Sequence, residues 1–113
     1  MDRIGLDELR IVHAAGSVIL IEALSEAAYE AEHLPGALNA PGVLTADVAA
    51  RLVPVRDETV VVYCSGPSFG RSKVTAAAFT RLGYTDVQVF PGGKLAWMDA
   101  RLPFEGARAE AVA

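Results

Sequence analysis

Hydrophobic and polar positions change their period along this chain, and the changes mark out its elements. Val18-Ile19-Leu20-Ile21 is an unbroken apolar run rich in β-branched residues. It does not alternate, which predicts a strand buried on both faces, as in the middle of a parallel sheet. Thr59 to Tyr63 is the clearest strand of the sequence, and Val87 to Phe90 reads as the last. Leu38-Asn39-Ala40 reads as a short strand after the turn His33-Leu34-Pro35-Gly36-Ala37. Between these runs the pattern is helical. Asp7 is placed to cap a helix reaching Ala14, with Leu6 and Ile11 spaced as a hydrophobic staple and Gly16 as its stop. Ser25 caps a helix from Glu26 to Ala31, and Thr45 caps another that runs through Leu52. Pro54 and Asp57 break the chain before the Thr59 strand. A helix over Arg71 to Leu82 places Val74, Ala77, Ala78 and Leu82 on one face, and Gly83 ends it. Lys94 to Asp99 forms a last short helix. Strands and helices alternate throughout, which predicts a layered α/β domain on a mainly parallel sheet.

Length and composition narrow the setting. The 113 residues suit one domain, taken as 1–106, with 107–113 as a short C-terminal tail expected to fray. Hydrophobic residues make up 52% of the chain, enough for a sizeable core. The formal net charge of −4 argues against general affinity for nucleic acid or an anionic membrane. The single cysteine excludes an internal disulfide and a Cys-rich zinc site, and fits a reducing cytoplasmic compartment. The first residues carry no apolar signal core, and the longest apolar runs fall far below the roughly 20 residues that span a bilayer.

That cysteine, Cys64, stands where the best strand ends, at the edge where parallel sheets hold their functional crevice. The loop Ser65-Gly66-Pro67-Ser68-Phe69-Gly70 follows, then Arg71-Ser72 at the start of a helix. Only a thiolate attacks well. A helix N-terminus, inward N–H groups and nearby Arg71 and Lys73 all lower a cysteine pKa and attract an anionic substrate. Gly66 and Gly70 permit the backbone angles an anion nest needs, while Pro67 stiffens the loop and removes one donor. The bland alternative is a small buried hydrophobe at a strand end. The order strand, Cys, glycines, Arg-Ser, helix favours a nucleophile.

Four segments in order resemble a single-domain rhodanese, or sulfurtransferase, module. They are Val18 to Glu22 with Tyr29 and His33 to Asn39; Val60 to Cys64; Arg71-Ser72 with the alanine-rich helix and Leu82-Gly83-Tyr84; and Phe90-Pro91-Gly92-Gly93 with Trp97. The resemblance implies a three-layer α/β/α fold around a mainly parallel sheet of about five strands. It implies a thiosulfate-sulfurtransferase-like enzyme in which Cys64 is catalytic and Ser65, Gly66, Pro67, Ser68, Phe69, Gly70, Arg71 and Ser72 bind substrate. Cys64 would take a sulfane sulfur from a small anionic donor such as thiosulfate and hold it as a persulfide. Cyanide, a small thiol or a protein thiol would then take it, with neither metal nor organic cofactor. Three features depart from the family pattern. Six residues separate Cys64 from Arg71-Ser72 where four are usual, Glu22-Ala23-Leu24 stands where Asp-Val-Arg is usual, so the arginine is missing, and Glu32 stands where glycine is usual before the histidine.

Other residues invite plainer readings. His33 reads as a turn residue bonding to backbone, His13 as surface or partly packed, and Trp97 as core. Gly92 and Gly93 read as a tight turn beside the loop. Lys94 reads as solvated, with anion steering as its alternative, and Glu22 as either a brace for the loop or a purely structural acid. Glu26, Glu30 and Glu32 read as a solvated face. Two other functions stay open. A phosphatase or arsenate reductase on the same fold is one. The tyrosine phosphatase pattern, however, has His before its Cys and five residues before its Arg, where this chain has Tyr63 and six, and no acid lies in the loop. A non-catalytic partner-binding module is the other.

Overall fold

The computed structural model describes residues 2–68 and 70–110. Its elements in chain order are β1 (Asp2–Arg3), α1 (Leu6–Ala14), β2 (Ile19–Glu22), α2 (Glu26–Ala31), β3 (Leu38–Asn39), α3 (Ala46–Leu52), β4 (Thr59–Tyr63), α4 (Arg71–Arg81), β5 (Asp86–Phe90), α5 (Gly93–Asp99) and α6 (Ala107–Glu110). The five strands form one sheet in the order β1-β5-β4-β2-β3, and every pairing is parallel. No helix among the described residues is long and apolar enough to cross a membrane.

The apolar runs are explained by helices on both faces of the sheet. Along β4, Val60 and Val62 join a core with Ile21, Val53, Phe79, Val87 and Val89, under α3 and α4. Val61 and Tyr63 point the other way, into a core with Leu9, Leu20, Leu34, Phe90 and Trp97, under α1 and α5. Each face of the central strand therefore meets apolar side chains, and no polar alternation survives. Register brings Glu22, Tyr63 and Phe90 side by side at the carboxyl ends of β2, β4 and β5. Whatever follows Tyr63 is thus held at the middle of that edge.

Ser25 and Thr45 cap α2 and α3 as expected, each accepting from the backbone N–H three residues on. Three local expectations are corrected. The N-cap of α1 is Gly5, not Asp7, and Asp7 lies in the first turn, where its charge complements the helix dipole. Ile11 is 72% exposed, so no staple forms with Leu6; Leu9 is the buried residue of this helix. On α4 the buried face is Ser72, Thr75, Ala76 and Phe79, while Val74 is 69% exposed. Phe79 decides this rotation. At about 100° per residue, burying it turns Val74, five positions earlier, well away from the sheet. Leu82 alone of the predicted stripe packs against the core, at its margin.

Two segments lie outside the predicted elements. Asp2 and Arg3 pair with Gln88 and Val89 at the sheet edge and lead Ile4 into the core. At the other end, Ala107–Glu110, the first part of the expected tail, form a short helix that packs against α2, while residues 111–113 of that tail lie outside the described residues. Glu105 first joins His33 in an antiparallel bridge. Gly106 then passes so close to α2 that a Cβ would lie 2.8 Å from the Glu30 carbonyl oxygen.

Candidate active site

Cys64 leaves the end of β4 with 2% of its surface exposed. Its Sγ lies 3.5 Å from Ser72 Oγ in the first turn of α4, and 3.9 Å from the carbonyl oxygen of Gly66. The thiol therefore sits between the loop that follows it and the helix that the loop enters. Gly70, in a right-handed bridge conformation (φ −91°), is the N-cap of α4. Gly66 likewise is not in the left-handed region, so neither loop glycine supplies the unusual angles expected of it.

The indispensable glycine belongs to the neighbouring turn. Gly93 has φ +58°, and a Cβ there would run into the carbonyl oxygen of Cys64 and lie 2.8 Å from the carbonyl carbon of Ser65 and 2.9 Å from the Gly66 nitrogen. This close approach lets the next two residues grip the loop. Lys94 N–H donates to the Cys64 carbonyl at 3.0 Å and Leu95 N–H donates to the Ser65 carbonyl at 2.9 Å. Gly92 and Gly93 thus form the tight turn beside the loop that the sequence suggests.

Beneath the loop lies a buried polar cluster. Glu22 is fully buried, and its Oε1 accepts from Tyr63 Oη at 2.8 Å. Tyr63 Oη in turn accepts from Leu34 N–H at 3.0 Å. Glu22 Oε2 pairs with Lys94 Nζ at 3.0 Å, and that ammonium also donates to the Ala28 carbonyl at 3.1 Å. Lys94 is therefore not solvated: its side chain is 14% exposed, and it joins β2, α2 and the candidate loop. Burial holds the Glu22 carboxyl above its ordinary value of 4.5, against the opposing pull of the bonds from Lys94 and Tyr63. Burial also raises the Tyr63 hydroxyl, reinforced by the neighbouring Glu22 charge. Tyr63 is thus fixed as a neutral donor. The missing arginine after β2 was the signal for this cluster, because a buried acid there needs a cation from elsewhere.

The sequence-selected residues separate into two groups. Cys64, Gly66 and Ser72 are buried together, with Ser65 half-buried beside them. Pro67, Ser68, Gly70 and Arg71 are exposed on the rim, as is Lys73, and Phe69 lies outside the described residues. His33 bonds backbone through Nδ1 to the Tyr29 carbonyl at 2.7 Å and stacks on the Tyr29 ring. His13 bonds the Pro35 carbonyl and meets the edge of Trp97, which is buried. No group of three metal-ligating side chains occurs among the described residues.

A buried thiol at the carboxyl end of the central strand, clasped by the next strand's turn and the next helix, defines an α/β domain organised around one cysteine loop. A family model for the rhodanese-like domain matches residues 6–100, and the chain belongs to that family. It is 36% identical over 104 residues to the HTH-type transcriptional regulator Rv0324 of Mycobacterium tuberculosis, a match that covers 92% of this chain and 45% of that protein. The chain thus spans less than half the length of this relative. Among solved structures, the BH2092 protein of Bacillus halodurans is 26% identical, with a TM-score of 0.87 over 95% of this chain and 78% of that one. A rhodanese with anions from E. coli is 28% identical, with a TM-score of 0.63 over 79% of this chain and 98% of that one. The human single-domain sulfurtransferase TSTD1 shares the fold at 24% identity and a TM-score of 0.70, over 88% of this chain and 96% of that one.

Proposed function

We propose that this domain is a sulfurtransferase that carries a sulfane sulfur on Cys64. The observation that supports this most is the seating of the thiol itself. It is buried at the strand end, with the Ser72 hydroxyl 3.5 Å from Sγ and its carbonyl held by the Lys94 N–H. In the first half-reaction the Cys64 thiolate attacks the outer sulfur of thiosulfate. A new S–S bond forms, the donor's S–S bond breaks, and its electron pair leaves with sulfite. In the second, cyanide or a thiolate attacks the outer sulfur of the persulfide. Thiocyanate or an acceptor persulfide departs, and the bond's electron pair returns to Cys64 as thiolate. The Gly66 carbonyl and the Ser72 hydroxyl flank the sulfur, with Ser65 half-buried in the same loop. Exposed Arg71 and Lys73 draw an anionic donor to the rim formed by Pro67, Ser68 and Gly70.

Intact mass after incubation with thiosulfate tests this reading. A gain of one sulfur atom is expected, lost on cyanide treatment and absent in Cys64→Ser. Parent protein that gains no sulfur from thiosulfate or from polysulfide would overturn it. A second reading draws on the relative named an HTH-type transcriptional regulator. In it, loading of Cys64 is itself the output, as a sulfur sensor. Many thiocyanate molecules per protein favour the enzyme, whereas one loading event with slow release favours the sensor.

A further inference from the structure

The rotation of α4 that buries Phe79 leaves an unused face beside the candidate loop. An open groove of about 560 Å³ runs along it, between α4 and the segment before α3. Its floor and walls are apolar, from Val43, Leu44, Val74 and Ala78. Val43 is 89% exposed and Val74 69%, so two valines of the groove face water. Arg71 and Arg81 line the groove as well, and no acidic residue does among the described residues, on a chain whose net charge is −4. Gly70 also lines it, so the groove begins where the cysteine loop ends. Two residues further on, Ser72 turns inward to Cys64 Sγ. The first turn of α4 therefore faces the thiol on one side and the groove on the other.

We infer that this groove docks the sulfur acceptor, an extended, acidic segment of a protein whose cysteine enters at the Gly70–Arg71 end. This rests on the sulfurtransferase reading. The ten-residue step from Arg71 to Arg81 rises about 15 Å along the helix. That length matches four or five residues of extended chain. Apolar side chains of such a segment cover Val43, Val74 and Ala78, and its carboxylates meet Arg81 at the far end. The openness of the groove suits a chain laid across it better than a small ligand, which needs enclosure. In the transfer step the acceptor's thiolate attacks the outer sulfur of the Cys64 persulfide. The acceptor gains an S–S bond, the Cys64 S–S bond breaks, and its electron pair stays on Cys64.

The test uses a fluorescent six-residue peptide in three forms: cysteine, leucine, alanine and valine followed by two glutamates; the same with lysines for the glutamates; and the glutamate form with glycines for its apolar residues. For binding, serine replaces the peptide cysteine and the protein is Cys64→Ser, so affinity is read without sulfur chemistry. The glutamate peptide is expected to bind about tenfold tighter than the other two, and Arg81→Glu and Val74→Ser each to weaken it about fivefold. With persulfide-loaded protein carrying the native cysteine, transfer to the glutamate peptide is expected to show a KM raised in both variants. Their thiosulfate-to-cyanide turnover should stay unchanged. Equal affinity for the three peptides, or indifference to Arg81→Glu, overturns the groove while leaving the sulfurtransferase reading intact. Selective binding without any persulfide on Cys64 overturns the acceptor role together with that reading. A small dicarboxylic thiol that takes sulfur as fast as the peptide and is slowed equally by Arg81→Glu assigns the groove to small acceptors. Self-association lost in Arg81→Glu assigns it to a second copy of the chain. Either result overturns the peptide proposal.

Discussion

The two halves of the cysteine loop are held in opposite ways. Cys64 to Gly66 lies against the β5–α5 turn, with both of its first two carbonyls bonded and the Gly93 Cα pressed on its backbone. Pro67, Ser68 and Gly70 stand out in solvent before α4 begins. The first half fixes where the sulfur sits. The second half forms the exposed rim around it. Length can therefore vary in the outer half without moving the nucleophile.

The largest effect on this contrast should come from Lys94→Met. It strands the buried Glu22 carboxylate, and losing one member of a buried pair costs about 3–5 kcal/mol. Urea unfolding should show that loss, with recovery of much of it in the Glu22→Gln, Lys94→Met double variant. Gly93→Ala comes next. Its φ of +58° and the collision with Cys64 and Ser65 should cost about 1–3 kcal/mol and lower sulfur loading, read by unfolding and intact mass.

Acid should sharpen the same comparison. The folded-state pKa of Glu22 is raised above 4.5, so its protonated form favours the fold. The stability it contributes is complete below pH 4.5 and is lost as pH rises through the raised value. Parent minus Glu22→Gln stability, measured across a pH series, should fall over that window and then level. A flat difference would count against the buried, desolvated carboxylate. The smallest effect belongs to the outer half: Pro67→Ala or Ser68→Ala should change stability by no more than about 0.5 kcal/mol, while altering the relative rates with different sulfur donors.

Much of this was legible in the sequence because parallel strands buried on both faces write themselves as unbroken apolar runs, as at Val18–Ile21 and Thr59–Tyr63. The position of Cys64 followed from the strand it ends. The rotation of α4 was not legible, because its buried face includes Ser72 and Thr75, polar residues that a hydrophobic stripe search passes over. Lys94 looked like any surface lysine, since its partner Glu22 lies far away in the chain and meets it only through strand order. Asp2 and Arg3 carry no apolar signal; their pairing depends on β5 already being in place. The positive backbone angle beside the loop belongs to Gly93 rather than to Gly66 or Gly70, and it was not legible because close approach of backbone to backbone is a tertiary fact.

Among the described residues, the sheet's two borders, β1 and β3, are each two residues long. Unpaired amide rows invite strand-by-strand growth with foreign chains, and a border this brief offers almost no ladder to extend.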